Sequence, residues 1–255
     1  MAARLDVRLG RVLHTLEWGA FGVKATTTDG RVYLADQAVI TLPLGVLKAG
    51  RVRFIPELPA DKLEAIAQLG VTDAVKLFYH FDAPVLPPGI IELYVPGANP
   101  DEWWSSTLGH GVAQEVLTSL ATGDKARELL AMPEEQALRQ GLQTLRHALN
   151  QPDLTPSKAR LAHWHADPYT LGAWSLARVG ASKARGILAR PVGGRLFFAG
   201  EHTAPNAWAA TVHGAYDSGR RAAREIVAAH GVIKPIRRRH SLEYNSLQVF
   251  ERYAS

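Results

Sequence analysis

Cysteine is absent from all 255 residues. That excludes disulfides, thiolate metal sites, thiol nucleophiles and any cofactor tethered through sulfur. No apolar run is long enough to span a bilayer. The opening MAARLDVRLGRVLHTLEW puts charges where a secretory signal needs an unbroken apolar block. Internal repeats, low-complexity tracts and heptad arrays are missing as well. The expectation is a cytoplasmic protein with no membrane partner. What remains is ordinary for a globular chain, with 47% hydrophobic and 21% charged residues. The length allows one core or two intertwined ones. A net charge of +5 owes much to the RRRH run at 237–240, in a basic C-terminal tail, 231–255. A short basic end of this kind reads as solvated, so no nucleic-acid partner is expected.

Strand signals dominate the start. VRLGRVLHTLEW and FGVKATTTDGRVYLADQAVITLPLG are rich in β-branched and aromatic residues and are broken by Gly19 and Asp29-Gly30. PELPADKLEAIAQLG predicts a helix after Pro59, with Leu63, Ile66 and Leu69 on its buried face and Gly70 as its stop. AVKLFYHF predicts a strand, and IIELYVPGANPDEWW a strand and a turn. From residue 107 to 150 the composition predicts helix, with breaks near Gly123 and at Met132-Pro133. ARLAHWHADP returns to strand and loop, 196–199 to a buried strand, and 208–229 to a long helix. Strand-rich, then helical, then strand-rich again implies an α/β chain (α+β overall) with a helix-rich insert. The expected division is 1–48 with 159–230 as one discontinuous domain, and 49–158 as the insert.

The stretch LFFAGEHTAPNAWAATVHGAYDSGRRAAREI, from Leu196, concentrates the chemistry. Gly200 and Glu201 follow a buried strand, where α/β folds meet their ligands. Along the helix Val212, Ala215, Gly219, Ala222 and Ile226 form a stripe of mostly small residues, with Arg220, Arg221 and Arg224 on other faces. Such a stripe serves either tight packing on a sheet or a helix N-terminus aimed at a ligand that gains negative charge, as a flavin does on reduction.

This stretch resembles the flavin-binding C-terminal segment of FAD-dependent amine oxidases, the family of polyamine oxidases, monoamine oxidases and lysine-specific histone demethylases. FAGEHT and ATVHGA are most similar to the polyamine oxidase and demethylase branch. DGRVYLADQAVITLPLGVLK, AVKLFYHF and HWHADPYTLGAWS agree in the right order, so the resemblance runs from about residue 5 to 229. It implies a partial Rossmann-like FAD-binding domain with an inserted substrate domain. It further implies oxidation of an amine C–N bond to an imine, with dioxygen as oxidant and hydrogen peroxide as product. The cofactor-binding positions it implies are Trp164, Tyr169, Gly200, Glu201, Thr211, Val212 and Ala215. Lys76, which read alone is a plain edge-strand lysine, matches a lysine that holds a water near the flavin. Trp174 matches an aromatic wall of the substrate cage; it and Lys76 are the implied catalytic residues. Ala173 stands where monoamine oxidases carry a flavin-tethering cysteine, which implies non-covalent FAD.

Two features resist that reading. His163, His165 and Asp167 in HWHADP resemble the HxHxDH zinc motif, yet Pro168 fills the last position and no further donor cluster is evident, so no metal is expected. His213 reads as a packing or surface histidine. The G-x-G-x-x-G turn that holds the ADP part of FAD occurs nowhere in the chain. The expectation is the C-terminal portion of a longer or split enzyme, with a separate N-terminal FAD-binding polypeptide as partner. The alternative is a truncated, non-catalytic remnant or interaction module.

Overall fold

The computed structural model describes residues 5–230, so the basic tail at 231–255 lies outside the described residues. The described residues fall into two compact units, Thr72–Asp167 and the residues on either side of it. Before the insert come β1 (Leu13–Gly19), β2 (Gly22–Thr27), β3 (Val32–Ala35), β4 (Ala38–Ile40), α1 (Leu44–Lys48), β5 (Arg53–Ile55), α2 (Ala60–Gln68) and β6 (Leu69–Val71). Within it are β7 (Ala74–Phe81), β8 (Glu92–Tyr94), β9 (Glu102–Ser105), β10 (Glu115–Thr122), α3 (Gly123–Leu130), α4 (Glu134–Leu149) and β11 (Lys158–His163). After it follow β12 (Ser175–Ala177), α5 (Ala184–Ala189), β13 (Leu196–Phe198) and α6 (Val212–His230).

The flanking unit carries a sheet of order β3-β2-β1-β5, a parallel pair β4–β13 and an antiparallel pair β6–β12. Glu17 and Lys24 face each other across the β1–β2 hairpin and pair at 2.8 Å. The parallel strand β13 is Leu-Phe-Phe and wholly buried, as expected of a strand covered on both faces. Pro43 and Pro59 immediately precede α1 and α2, with φ of −54° and −53°. Proline there fixes the entry angle at no cost in helical hydrogen bonds.

Two lysines tie these helices together. Lys48, at the end of α1, donates to the carbonyls of Ile66, Ala67 and Leu69 at the C-terminus of α2. Lys62, inside α2, donates to the carbonyls of Ile187, Leu188 and Arg190 at the C-terminus of α5. Each ammonium thereby satisfies carbonyls that the helix itself leaves open. The expected apolar face of α2 is corrected accordingly: Lys62 is 2% exposed and Leu63 36%. The α2–α5 link also holds residues 49–71 in the flanking unit, while pairing of β11 along β7 draws 159–163 into the insert.

The insert is a five-stranded antiparallel sheet of order β11-β7-β10-β9-β8. Strand β7 alternates strictly: Val75, Leu77, Tyr79 and Phe81 enter a core shared with α3 and α4, while Lys76, Phe78 and His80 take the other face. Gly141 lets α4 come close, since a Cβ there would lie 2.5 Å from the Tyr79 hydroxyl. The helix-rich expectation is corrected here. Residues 115–122 form the strand between β7 and β9, because cross-strand partners on both sides outweigh local helical composition. The expected breaks at Gly123 (φ 58°) and Pro133 do open α3 and α4.

Candidate functional site

Where β13 ends, Gly200 adopts φ 119°, a conformation that L side chains rarely reach. A Cβ there would also lie 2.5 Å from the ring of His202. This turn delivers Glu201 into a polar hub. Its Oε1 accepts the Ser175 N–H at 2.9 Å, and its Oε2 accepts the Ser175 hydroxyl at 2.7 Å and the Ala210 N–H at 2.8 Å. The Arg185 guanidinium stands 3.8 Å away and itself donates to the Ser175 hydroxyl and carbonyl. Burial lowers the Arg185 pKa and the nearby Glu201 carboxylate opposes the shift. His202, 3% exposed, is pulled down to about 4 by burial, with Arg185 and Arg221 pushing the same way against Glu201. It is therefore neutral at pH 7. Its Nε2 finds no partner among the described residues.

The hub feeds the start of α6. The Thr211 hydroxyl donates to the Trp208 carbonyl at 2.6 Å and accepts the Gly214 N–H at 3.1 Å, and the Thr211 carbonyl accepts the Ala215 N–H. Thr211 is thus a side-chain N-cap. Among the described residues the N–H groups of Val212 and His213 have no acceptor. Val212 is 88% exposed, Thr211 and Ala215 are half-buried, and the helix behind them runs 19 residues. The leading end is open rather than filled by the chain's own side chains. It offers free backbone donors and the positive end of a helix dipole to a flat group that gains negative charge.

The small-residue stripe needs correction. The stripe holds at Ala222 and Ile226, which pack with Phe197 and Ala199. Over the first two turns, however, the buried residues are Gly214 and Ser218 rather than Val212, Ala215 and Gly219. A Cβ on Gly219 would touch nothing within 4 Å, whereas one on Gly214 would lie 1.9 Å from the Trp208 carbonyl oxygen. Arg221 faces inward as well, donating to the carbonyls of Ala189 and Phe198 and to the Thr203 hydroxyl. Ser218 accepts the Gly200 N–H at 2.8 Å. Polar clamps seat the first turns of this helix, where apolar periodicity could not reveal the rotation, while Ala222 and Ile226 seat its later turns on Phe197 and Ala199.

Tyr169 is 51% exposed and Trp174 half-buried, on a loop that presses against α1. A Cβ on Gly45 would lie 2.3 Å from the Leu171 carbonyl oxygen, so glycine permits that seat. In the insert, Lys76 is half-buried with its ammonium 5.4 Å from the centroid of the Trp104 ring. Trp164 is half-buried there too. His165 Nδ1 lies 3.2 Å from Asp73, whose other oxygen Arg127 binds at 2.9 Å. Burial, then His165, lowers the pKa of His163. Among the described residues no cluster of three or more His, Asp or Glu is placed to hold a metal ion. His213 stacks edge-on against Trp208 at 4.7 Å. Sequence reasoning missed Ser175, Arg185 and Trp104. The two polar residues sit at unpatterned positions, and only the pairing of β9 with β10 brings Trp104 toward Lys76.

The family model described as flavin containing amine oxidoreductase matches residues 1–227. The chain belongs to this family. It is 37% identical to polyamine oxidase 4 of Oryza sativa subsp. japonica over 228 residues, covering 88% of this chain and 46% of the relative. It is 31% identical to lysine-specific histone demethylase 1B of Mus musculus over 235 residues, 89% of this chain and 28% of the relative. The chain thus spans half or less of these curated relatives. A redesigned putrescine oxidase superposes with a TM-score of 0.78 at 19% identity, over 89% of this chain and 50% of that one. Cyclohexylamine oxidase from Brevibacterium oxydans IH-35A gives 0.73 at 19%, over 87% and 48%. These likenesses establish the fold, mixed α/β with a Rossmann-like flanking unit.

Proposed function

We propose that this chain forms part of an FAD-dependent amine oxidase that converts an amine C–N bond to an imine. The observation that carries the reading is the open leading end of α6, with two unpaired N–H groups, standing beside the Glu201 hub. FAD, when bound, supplies the two-electron acceptor that the amine needs and passes the electrons to dioxygen, giving hydrogen peroxide. Thr211 fixes the helix start so that the backbone of Thr211 and Val212 meets the pyrimidine edge of the ring, and Ala215 leaves it room. Gly200 and Glu201 orient the ribityl and pyrophosphate portion, while Tyr169 packs around the ring. Trp174 forms an aromatic wall that excludes water and favours the neutral, reactive amine. Lys76 holds a water and assists proton transfer. Ala173 offers no sulfur, so the cofactor is held non-covalently.

Substrates named for relatives and structural neighbours, polyamines and putrescine among them, are cationic. Acidic side chains outnumber basic ones in residues 72–167, which favours the approach of a cation. Because these 255 residues contain no G-x-G-x-x-G turn, the reading assigns the ADP end of FAD to a segment supplied in addition. The test is a flavin titration of the purified chain, alone and co-expressed with such a segment, followed by a peroxide assay over an amine panel. Flavin binding and amine-dependent peroxide in the co-expressed sample support the reading. Failure to bind flavin in either sample overturns it and leaves a non-catalytic interaction module.

A further inference from the structure

A cavity of about 750 Å³, separate from the start of α6, is bounded by α1, β5 and α2. Its floor is apolar: Val52, Leu58 and Ile66 are buried and Phe54 is half-buried. Its rim carries three cations, Lys48, Arg51 and Arg53, with His14 beside them, set against the single acid Glu57. None of these four bases has a carboxylate partner among the described residues. Lys48 spends its donors on three carbonyls, which satisfy its hydrogens without neutralising its charge. Burial, and then Arg178, makes that charge harder to carry. The rim thus sets net positive charge over an apolar floor.

We propose that this cavity binds an apolar anion, a small molecule with an acyl or aryl body and one terminal carboxylate. The volume lies within the range of small-ligand sites, roughly 300–1,000 Å³. Four apolar side chains would take the body, and the two arginines offer forked donors that match a carboxylate. Glu57 on the same rim disfavours polyanions. The site is independent of the flavin reading, because none of its lining residues belongs to the α6 start or the Glu201 hub.

Octanoate is the probe, titrated calorimetrically into the chain, with acetate and 1-octanol as the head-only and body-only controls. The expected result is one saturable site for octanoate, with both controls weaker by about tenfold or more. Replacing both exposed arginines, Arg51→Gln with Arg53→Gln, should weaken octanoate by about tenfold or more, with melting by circular dichroism unchanged. Three results overturn the proposal: no saturable heat at millimolar octanoate, unchanged affinity in the double variant, or displacement of octanoate by FAD.

Discussion

Replacing Lys62 by methionine tests how a buried ammonium holds two helices, α2 and α5, in place. Methionine keeps the apolar stem against Phe198, whose ring centroid lies 3.8 Å from the ammonium, and deletes only the charge and its donors. The carbonyls of Leu188 and Arg190, both bonded at 2.7 Å, lose their partner at the end of α5. At about 1–3 kcal/mol for each stranded buried carbonyl, the expected loss is about 3 kcal/mol at pH 7. Burial has a second consequence. It lowers the Lys62 pKa from 10.5 to about 7, with Asp61 opposing and Arg221 and Arg190 assisting. Between pH 7 and 10.5 the unfolded chain therefore binds the proton that the folded chain has released, so wild-type stability rises with pH through that window. The variant lacks this contribution. Because the folded group is already half titrated at pH 7, the cost of the substitution should grow by about 2.3 kcal/mol from pH 7 to pH 9. Urea denaturation of both proteins at pH 6, 7, 8 and 9, followed by tryptophan fluorescence, measures the difference directly. A cost that stays flat with pH would refute the argument, since it would mean that the three carbonyls hold Lys62 charged throughout.

Gly214→Ala should destabilise by about 2 kcal/mol, because its Cβ meets backbone that cannot yield, whereas Gly219→Ala should stabilise α6 by up to about 1 kcal/mol; paired thermal melts decide both signs. Glu201→Gln leaves the buried Arg185 without its counter-charge and should cost about 3 kcal/mol, read by urea denaturation, together with a fall in flavin affinity in a fluorescence titration. His202 binds its proton in the unfolded chain near pH 6.5 and in the folded chain near 4, so its contribution to stability is lost as pH falls from 6.5 to 4; His202→Gln should flatten acid unfolding in that window by about 3 kcal/mol. Lys76→Met should slow amine-dependent oxygen consumption by about a hundredfold in the flavin-loaded enzyme while leaving the melting temperature within a few degrees.

Short, strongly patterned elements were legible in the sequence, and elements defined by their partners were not. Strands β7 and β13 show their burial in composition alone, the first by alternation and the second by an unbroken apolar run. Strand β10 does not, because its mixed EVLTSLAT composition takes strand geometry only between β7 and β9. The same distinction runs through the candidate site. Gly200, Glu201 and Thr211 could be named from a motif, but the chemistry that fixes them is carried by Ser175, Arg185, Ser218 and Arg221, which fall on no period. Hydrophobic patterning finds faces that water rejects. The first turns of α6, seated by the Ser218 hydroxyl and the Arg221 guanidinium, lack such a face. Their rotation must be read from hydrogen bonds, whereas Ala222 and Ile226 further on do meet an apolar cluster. That is why the first half of the stripe on α6 was expected one step away from where it lies, while Ala222 and Ile226 fall where expected. It is also why the tight glycine proved to be Gly214, against its own loop, rather than Gly219. The start of α6 depends on the clamps, so substitutions at Ser218 and Arg221 should disturb it more than Gly219→Ala, whose Cβ meets nothing.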